Sequence, residues 1–140
     1  MRPLFVDTSG WAAFLLRSES FHSQAVLTMD GARKNGRLVM TTSYVMAELV
    51  ALLTRPMRVP RPEQIRIIET LRMAPWIHIL HVDAAQDASS WELLTSRPDK
   101  AWSLVDCSSF VIMEKYSLVE ALTTDHHFEQ AGFARLLKDS

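Results

Sequence analysis

The chain has 140 residues, of which 48% are hydrophobic and 22% charged, and its formal net charge is −1. These values fit one folded domain with a buried core, and they exclude a disordered chain and a strongly basic nucleic-acid coat protein. The single cysteine excludes an internal disulfide and a structural zinc site. Without a signal peptide or a run long enough to cross a bilayer, we expect one cytoplasmic domain over residues 1–140, away from membranes.

Short apolar runs alternate with segments of helical periodicity along the first half of the chain. The run at residues 4–6 predicts a strand that ends at Asp7, and Thr8 or Ser9 is expected to cap the helix that follows. The next predicted elements are a helix from Ser20 to Gly36, a strand over residues 37–41, a helix capped by Thr42 or Ser43 that ends before Pro56, and a helix beginning at Pro62.

The second half continues this alternation. Its predicted elements are a strand over residues 76–82, a helix with the capping-box pair Asp83 and Gln86, a helix with the pair Ser103 and Asp106, a strand over residues 121–123, a helical turn over residues 127–131 and a strand over residues 133–136. Strands that alternate with helices predict a parallel sheet covered by helices on both faces. In such sheets the functional site lies beyond the carboxyl ends of the strands.

Four acidic side chains lie near predicted strand ends or helix starts without a cation at helical spacing. Asp7 and Asp125 directly follow strands, where an aspartate is also a common helix cap. Glu48 lies in a helix that is apolar on every face, which predicts a buried helix. Its carboxylate then needs a partner from elsewhere, either a distant arginine or water at the helix edge. Asp106 has capping-box spacing to Ser103, and one carboxylate can both cap a helix and bind a ligand.

Together the four acids predict a metal site if they converge at one rim of the sheet. Converging carboxylates repel one another, so protons or a cation must neutralise some of them. Ligand sets made of carboxylates and water favour Mg²⁺ or Mn²⁺. One or two such ions in an acidic cluster can activate water and stabilise a leaving oxygen, which is the chemistry of phosphodiester cleavage.

Four stretches of the sequence resemble the PIN-domain family, most closely the VapC-like toxins of bacterial toxin–antitoxin pairs. They are residues 6–9 (VDTS), 47–49 (AEL), 99–107 (DKAWSLVDC) and 121–133 (ALTTDHHFEQAGF), in the family's motif order. The resemblance implies a three-layer α/β/α sandwich with a central, mostly parallel sheet, and an endoribonuclease that depends on Mg²⁺ or Mn²⁺. It also implies an RNA substrate, a frequent homodimer and inhibition by a cognate antitoxin.

The resemblance also implies roles for particular residues. At the matching positions it implies the acidic quartet of an active nuclease, formed by Asp7, Glu48, Asp106 and Asp125. Asp7 and Asp106 would be the principal metal ligands, and Glu48 and Asp125 would complete a second ion site or hold bound water. Thr8 or Ser9 would supply a hydroxyl that orients a ligand or water.

Two further groups of residues have competing interpretations. Arg55, Arg58 and Arg61 lie in a proline-stiffened segment, where they either contact RNA phosphates or form a solvated surface. His126 and His127 follow Asp125, but we expect adjacent side chains on a helical turn to diverge, which disfavours metal ligation. Capping, solvation or contact with RNA is the expected role of the two histidines.

Two other functions stay open beside the nuclease. One is a non-catalytic PIN-like binding module that acts in a DNA-bound repression complex with its antitoxin, and the other is a metal-dependent phosphatase. The apolar helix from Tyr44 to Leu53, with Trp11, Phe14 and Leu15, also predicts surplus apolar surface. Such a surface would be covered by a second copy of the chain or by the antitoxin.

Overall fold

Five parallel strands form a single sheet in the computed structural model, which describes residues 1–139. The strands are β1 (Leu4–Val6), β2 (Val39–Thr42), β3 (Ile77–Leu80), β4 (Glu120–Leu122) and β5 (Ala134–Arg135), and their order in the sheet is β3-β2-β1-β4-β5. Every recorded strand pair is parallel. Strand β1 is therefore central, and its three residues are fully buried because helices cover the sheet.

The helices alternate with the strands as the sequence predicts. They are α1 (Thr8–Leu15), α2 (His22–Lys34), α3 (Ser43–Thr54), α4 (Arg61–Met73), α5 (Ala84–Ser96), α6 (Leu104–Lys115) and α7 (His127–Gln130). The expected α/β class, a central parallel sheet between helical layers, is confirmed. Within the described residues, no helix has both the length and the apolar character needed to cross a bilayer.

Helix caps follow the sequence signals with one exception. Thr42 caps α3, and the predicted capping boxes form at the starts of α5 and α6. The expectation that Thr8 or Ser9 caps α1 is wrong. The cap is Asp7, whose Oδ1 accepts a 2.9 Å hydrogen bond from the backbone N–H of Gly10, because the two hydroxyls lie inside the first turn and bind other partners.

Element boundaries shift by a few residues from those predicted. The helix expected from Ser20 begins at His22, and the strand expected over residues 133–136 contains only Ala134 and Arg135. Such shifts arise because the last residues of an element depend on packing and capping as much as on local pattern.

Helix α3 is less buried than its composition predicts. Val45, Leu49 and Leu53 are fully buried, but Ala47 and Ala51 on the other side are exposed. The helix is therefore buried on one face and open to solvent at its alanines, because small side chains tolerate a solvent-facing position. Trp11, in contrast, is fully buried, so α1 leaves less exposed apolar surface than the sequence predicted.

Candidate active site

All four acids of the predicted quartet line one cleft at the carboxyl end of the sheet. The cleft has a volume of about 410 Å³, and its lining is formed by Asp7, Thr8, Ser9, Glu48, Ala51, Leu52, Arg55, Asp106 and Asp125. Asp7 directly follows β1, and Asp125 follows β4, the neighbouring strand. Glu48 reaches the cleft from α3, and Asp106 from the first turn of α6. The fold thus gathers acids that are far apart in sequence at one rim.

Asp7 is the most buried of the four acids, with 7% of its surface exposed. Besides the bond from Gly10, its Oδ1 accepts a 2.8 Å hydrogen bond from Ser9 Oγ, and its Oδ2 accepts one of 2.8 Å from Thr123 Oγ1. Burial nevertheless raises the pKa of Asp7 to about 7, and the nearby charge of Asp125 adds to the rise. A buried carboxyl with so high a pKa is only partly ionised near neutral pH, and a nearby cation would favour its ionised form.

Thr123 is a residue of this site that the sequence analysis did not identify. Its hydroxyl, besides donating to Asp7, accepts a 3.0 Å hydrogen bond from the backbone N–H of Asp125. Ser9 Oγ in turn accepts a 3.0 Å bond from the backbone N–H of Thr124. The hydroxyls therefore tie the loop after β4 to the start of α1. The only sequence signal was the pair of threonines at the end of an apolar strand.

Gly10 permits this close approach of α1 to β4. A Cβ atom at position 10 would lie 1.9 Å from the carbonyl oxygen of Leu122, a distance that no real contact allows. The helix start can contact the strand end only because residue 10 has no side chain. This contact keeps Asp7 beside Thr123.

Glu48 is compensated by a hydroxyl rather than by an arginine. Thr8 Oγ1 donates a hydrogen bond to Oε1 of Glu48, and the glutamate is partly exposed in the cleft. Within residues 1–139, Glu48 forms no ion pair. Of the two explanations that the sequence allowed, the helix edge that reaches water is the one observed.

His127 lies between the other two acids. Its Nδ1 is 3.1 Å from Oδ2 of Asp106 and 3.3 Å from Oδ1 of Asp125. Asp106 also accepts a 3.1 Å hydrogen bond from the backbone N–H of Ser103, so it completes its capping box while facing the cleft. Both functions that the sequence assigned to Asp106 are thus geometrically compatible.

The expectation that His126 and His127 diverge is wrong. Their ring centroids are 4.6 Å apart with an interplanar angle of 52°, because both rings turn toward the loop that carries Asp125. Asp125, His126 and His127 each offer one atom that could bind a metal, and these atoms all lie within 4.8 Å of one another.

The three candidate arginines occupy different places. Arg55 lines the acidic cleft as the residue that follows α3. Arg61 starts α4 and lines a separate groove with Gln64 and Ile68. Arg58 is exposed and lines neither. Among the described residues that line the cleft, Arg55 is the basic one, and it forms no ion pair there.

The donor set of the cleft fits a hard divalent cation. Four carboxylates face one open space, the most buried has a pKa near 7, and the hydroxyls of Thr8, Ser9 and Thr123 hold carboxylate oxygens in place. Oxygen ligands of this kind suit Mg²⁺ and Mn²⁺, and a cation would remove the mutual repulsion of the acids.

Comparison with known proteins identifies relatives of the whole chain. The model of the PIN domain family matches residues 4–134. The chain is 29% identical over 133 residues to the 23S rRNA-specific endonuclease VapC20 of Mycobacterium tuberculosis, covering 95% of this chain and 97% of the relative.

Two solved structures also match the chain. The crystal structure of Mycobacterium tuberculosis VapC20, described as a sarcin–ricin loop cleaving toxin, matches with a TM-score of 0.84 and 28% identity over 96% of this chain and 99% of that chain. FitAcB from Neisseria gonorrhoeae matches with a TM-score of 0.66 and 19% identity over 96% of both chains, a likeness of fold.

Proposed function

The chain belongs to the PIN-domain family, and from this membership and its acidic cleft we propose that it is an endoribonuclease, the toxin of a toxin–antitoxin pair. The observation that carries the proposal is the convergence of four carboxylates on one cleft, where Asp7 is buried with a pKa of about 7. A structural role alone does not explain this arrangement, because gathering acids without a cation costs folding free energy.

We propose that the cleft holds Mg²⁺ or Mn²⁺. Asp7 and Asp106 are the principal ligands, and Glu48 and Asp125 complete a second ion position or hold water. When bound, such an ion supplies Lewis-acid activation of water and neutralises charge that develops on the phosphate.

The remaining side chains position these ligands and the substrate. Thr8 fixes one oxygen of Glu48, while Ser9 and Thr123 fix the carboxylate of Asp7. His127 holds Asp106 and Asp125 at a set separation. Arg55 at the edge of the cleft is placed to bind an RNA phosphate and so to offset the repulsion between the acidic lining and a polyanion.

The proposed substrate is RNA, and the names of the relatives suggest where to begin. Because VapC20 acts on 23S rRNA and cleaves the sarcin–ricin loop, an oligonucleotide with that loop is the first substrate to test. A panel of transfer RNAs and total RNA then covers other targets. The chain is proposed to act in the cytoplasm as one domain.

The proposed partners are an antitoxin and a second copy of the chain. Asp7 and Glu48, which form no ion pair within residues 1–139, can accept a charge-assisted bond from an arginine of the antitoxin, which would compete with the metal. The exposed side of α3, with Ala47 and Ala51, is apolar and lies beside the cleft. Sedimentation at micromolar concentration tests the homodimer, and a purely monomeric protein would contradict it.

The nuclease proposal is tested by cleavage of RNA by the purified protein with Mg²⁺, with Mn²⁺ and with a chelator. The variants are Asp7→Asn and Asp106→Asn, and the matched control is Asp30→Asn on the exposed side of α2. We expect cleavage that needs the metal, is lost in both site variants and persists in the control.

Other outcomes identify the alternatives. Metal binding without any RNA cleavage, with hydrolysis of a phosphomonoester, would indicate a metal-dependent phosphatase. Absence of both metal binding and cleavage would favour a binding module that acts in a DNA-bound repression complex. Cleavage that is equal in wild type and Asp7→Asn would place the activity outside this cleft.

A further inference from the structure

Two imidazole rings and a carboxylate meet at the outer edge of the acidic cleft. Nδ1 of His127 lies 3.3 Å from Oδ1 of Asp125, and Nδ1 of His126 lies 3.8 Å from the same oxygen. The side chain of His126 is 64% exposed, so a solute can reach this group from outside. This arrangement shares Asp125 with the four carboxylates, but its two histidines do not belong to the predicted quartet.

We propose that Asp125, His126 and His127 form a binding position for a borderline transition-metal ion of the Zn²⁺ or Co²⁺ type. The chemistry of the donors supports this choice. Imidazole nitrogen binds Co²⁺, Ni²⁺ and Zn²⁺ far better than Mg²⁺, which prefers oxygen ligands. The position therefore differs in metal preference from the carboxylate part of the cleft, although the two share Asp125.

The spacing of the ligand atoms fits such an ion. Ligands that lie about 2.0–2.2 Å from a tetrahedral zinc ion are roughly 3.3–3.6 Å from one another. The two separations from Asp125, 3.3 and 3.8 Å, are close to this range, and all three ligand atoms lie within 4.8 Å of one another, so side-chain rotation would bring them to coordination distance. A water molecule completes the fourth position, since Asp106 contacts His127 but is not part of this group of ligand atoms.

The histidines must be neutral to bind the ion through Nδ1. The proton of His127 then resides on Nε2, and the ion replaces the hydrogen bond between Nδ1 and Oδ2 of Asp106 and the close contact between Nδ1 and Oδ1 of Asp125. An ion held here also engages Asp125 and alters the charge that the rest of the cleft presents. The inference concerns metal binding alone and does not require that the chain cleave RNA.

The experiment is a titration of the 140-residue chain with Co²⁺ in millimolar Mg²⁺, in which the absorption of the bound Co²⁺ is measured. We expect binding that Mg²⁺ does not displace. His126→Ala is the principal variant because its exposed ring contributes little to folding, and its affinity for Co²⁺ should fall at least about tenfold. His78→Ala, which changes an exposed histidine on β3, is the matched control and should bind as wild type does.

Two further measurements complete the test. Asp7→Asn should lose RNA cleavage yet keep its Co²⁺ affinity, which separates a failure of this inference from a failure of the nuclease proposal. Nitrogen chemical shifts of the imidazoles should change on addition of Zn²⁺ for His126 and His127 but not for His78. Absence of Co²⁺ binding, displacement by Mg²⁺, or equal affinity in wild type and His126→Ala would overturn the proposal.

Discussion

Oγ1 of Thr123 donates a 2.8 Å hydrogen bond to Oδ2 of Asp7 across the junction between β4 and α1. Because the same oxygen accepts from the backbone N–H of Asp125, one hydroxyl positions two acids that follow different strands. The positions of the carboxylates therefore depend on the hydroxyls around them as well as on the backbone.

Replacement of Thr123 by valine should weaken both the fold and the site. Thr123→Val keeps the volume but removes a donor from a buried carboxyl and an acceptor from a backbone N–H, which costs about 1–3 kcal/mol. We expect a lower melting temperature and weaker binding of Mn²⁺ measured by calorimetry. Thr124→Val is the matched control, because only the backbone of Thr124 forms hydrogen bonds within residues 1–139. Equal behaviour of the two variants would remove the assigned role of Thr123.

The pKa of Asp7 predicts how the stability of the metal-free protein depends on pH. The pKa is raised to about 7 in the fold, mainly by burial, whereas an aspartate in an unfolded chain has a pKa of about 3.9. The contribution of this group to stability is therefore complete below about pH 4 and is lost as the pH rises through about 7. Near pH 8 the loss amounts to about 4 kcal/mol at most.

The variant Asp7→Asn should lack this loss. With a chelator present, urea unfolding near pH 8 should show that Asp7→Asn is more stable than wild type, and the difference should vanish toward about pH 4. Asparagine still caps α1, so the fold should persist. A variant that is less stable than wild type near pH 8 would show that the carboxylate itself stabilises the helix start.

Addition of a divalent ion should reverse the cost of the ionised acids. An ion that binds only the folded protein stabilises it by about 2.7 kcal/mol at a concentration one hundred times its Kd. Mn²⁺ should therefore raise the melting temperature of wild type near pH 8, and the increase should be small in Asp106→Asn. An equal rise in both proteins would indicate that the ion binds elsewhere.

Much of the architecture was predictable because its signals are local. The capping boxes of α5 and α6 and the apolar runs of the central strands follow directly from residue pattern, and the convergence of Asp7 with Asp125 follows from the rule for parallel sheets. The cap of α1 was misassigned because an aspartate, a threonine and a serine in succession all suit that position.

Contacts between distant segments were not predictable. The bridge of His127 between Asp106 and Asp125 depends on the direction of a side chain in a short helix, and the hydroxyl of Thr123 acts through a strand pairing. The exposure of Ala47 on an apolar helix likewise depends on which face meets the sheet. Composition and periodicity carry no information on these three points.

The two interior helical glycines should respond in opposite ways to alanine. Gly10→Ala forces a Cβ atom against the carbonyl of Leu122, so α1 must move away from β4, and a cost of about 1–3 kcal/mol or more is expected. Gly31→Ala in α2 meets no atom within 4 Å and should stabilise the helix by about 0.5–1 kcal/mol. Urea unfolding checks both values, and a tolerated Gly10→Ala would contradict the tight contact.

The arginines should contribute unequally to RNA binding. Arg55 lines the acidic cleft, whereas Arg58 and Arg61 lie outside it, so only Arg55 is placed to contact a phosphate held at the carboxylates. Charge reversal in Arg55→Glu should weaken RNA binding strongly. It should also lower the slope of log affinity against log salt concentration by about one, which corresponds to the loss of one phosphate contact. Arg58→Glu, with the same change of net charge, is the matched control and should have a smaller effect.

Binding is best measured in Ca²⁺ or in the Asp106→Asn background, so that RNA stays intact during the salt titration. Comparison of Arg55→Glu with the double variant Arg58→Glu and Arg61→Glu distinguishes a phosphate contact at the cleft from attraction of RNA by the positive charge of the whole segment. If the double variant loses as much affinity and salt dependence as Arg55→Glu, RNA binds along the whole arginine segment. If none of the variants changes RNA affinity, all three arginines belong to a solvated surface and the polyanion is held elsewhere.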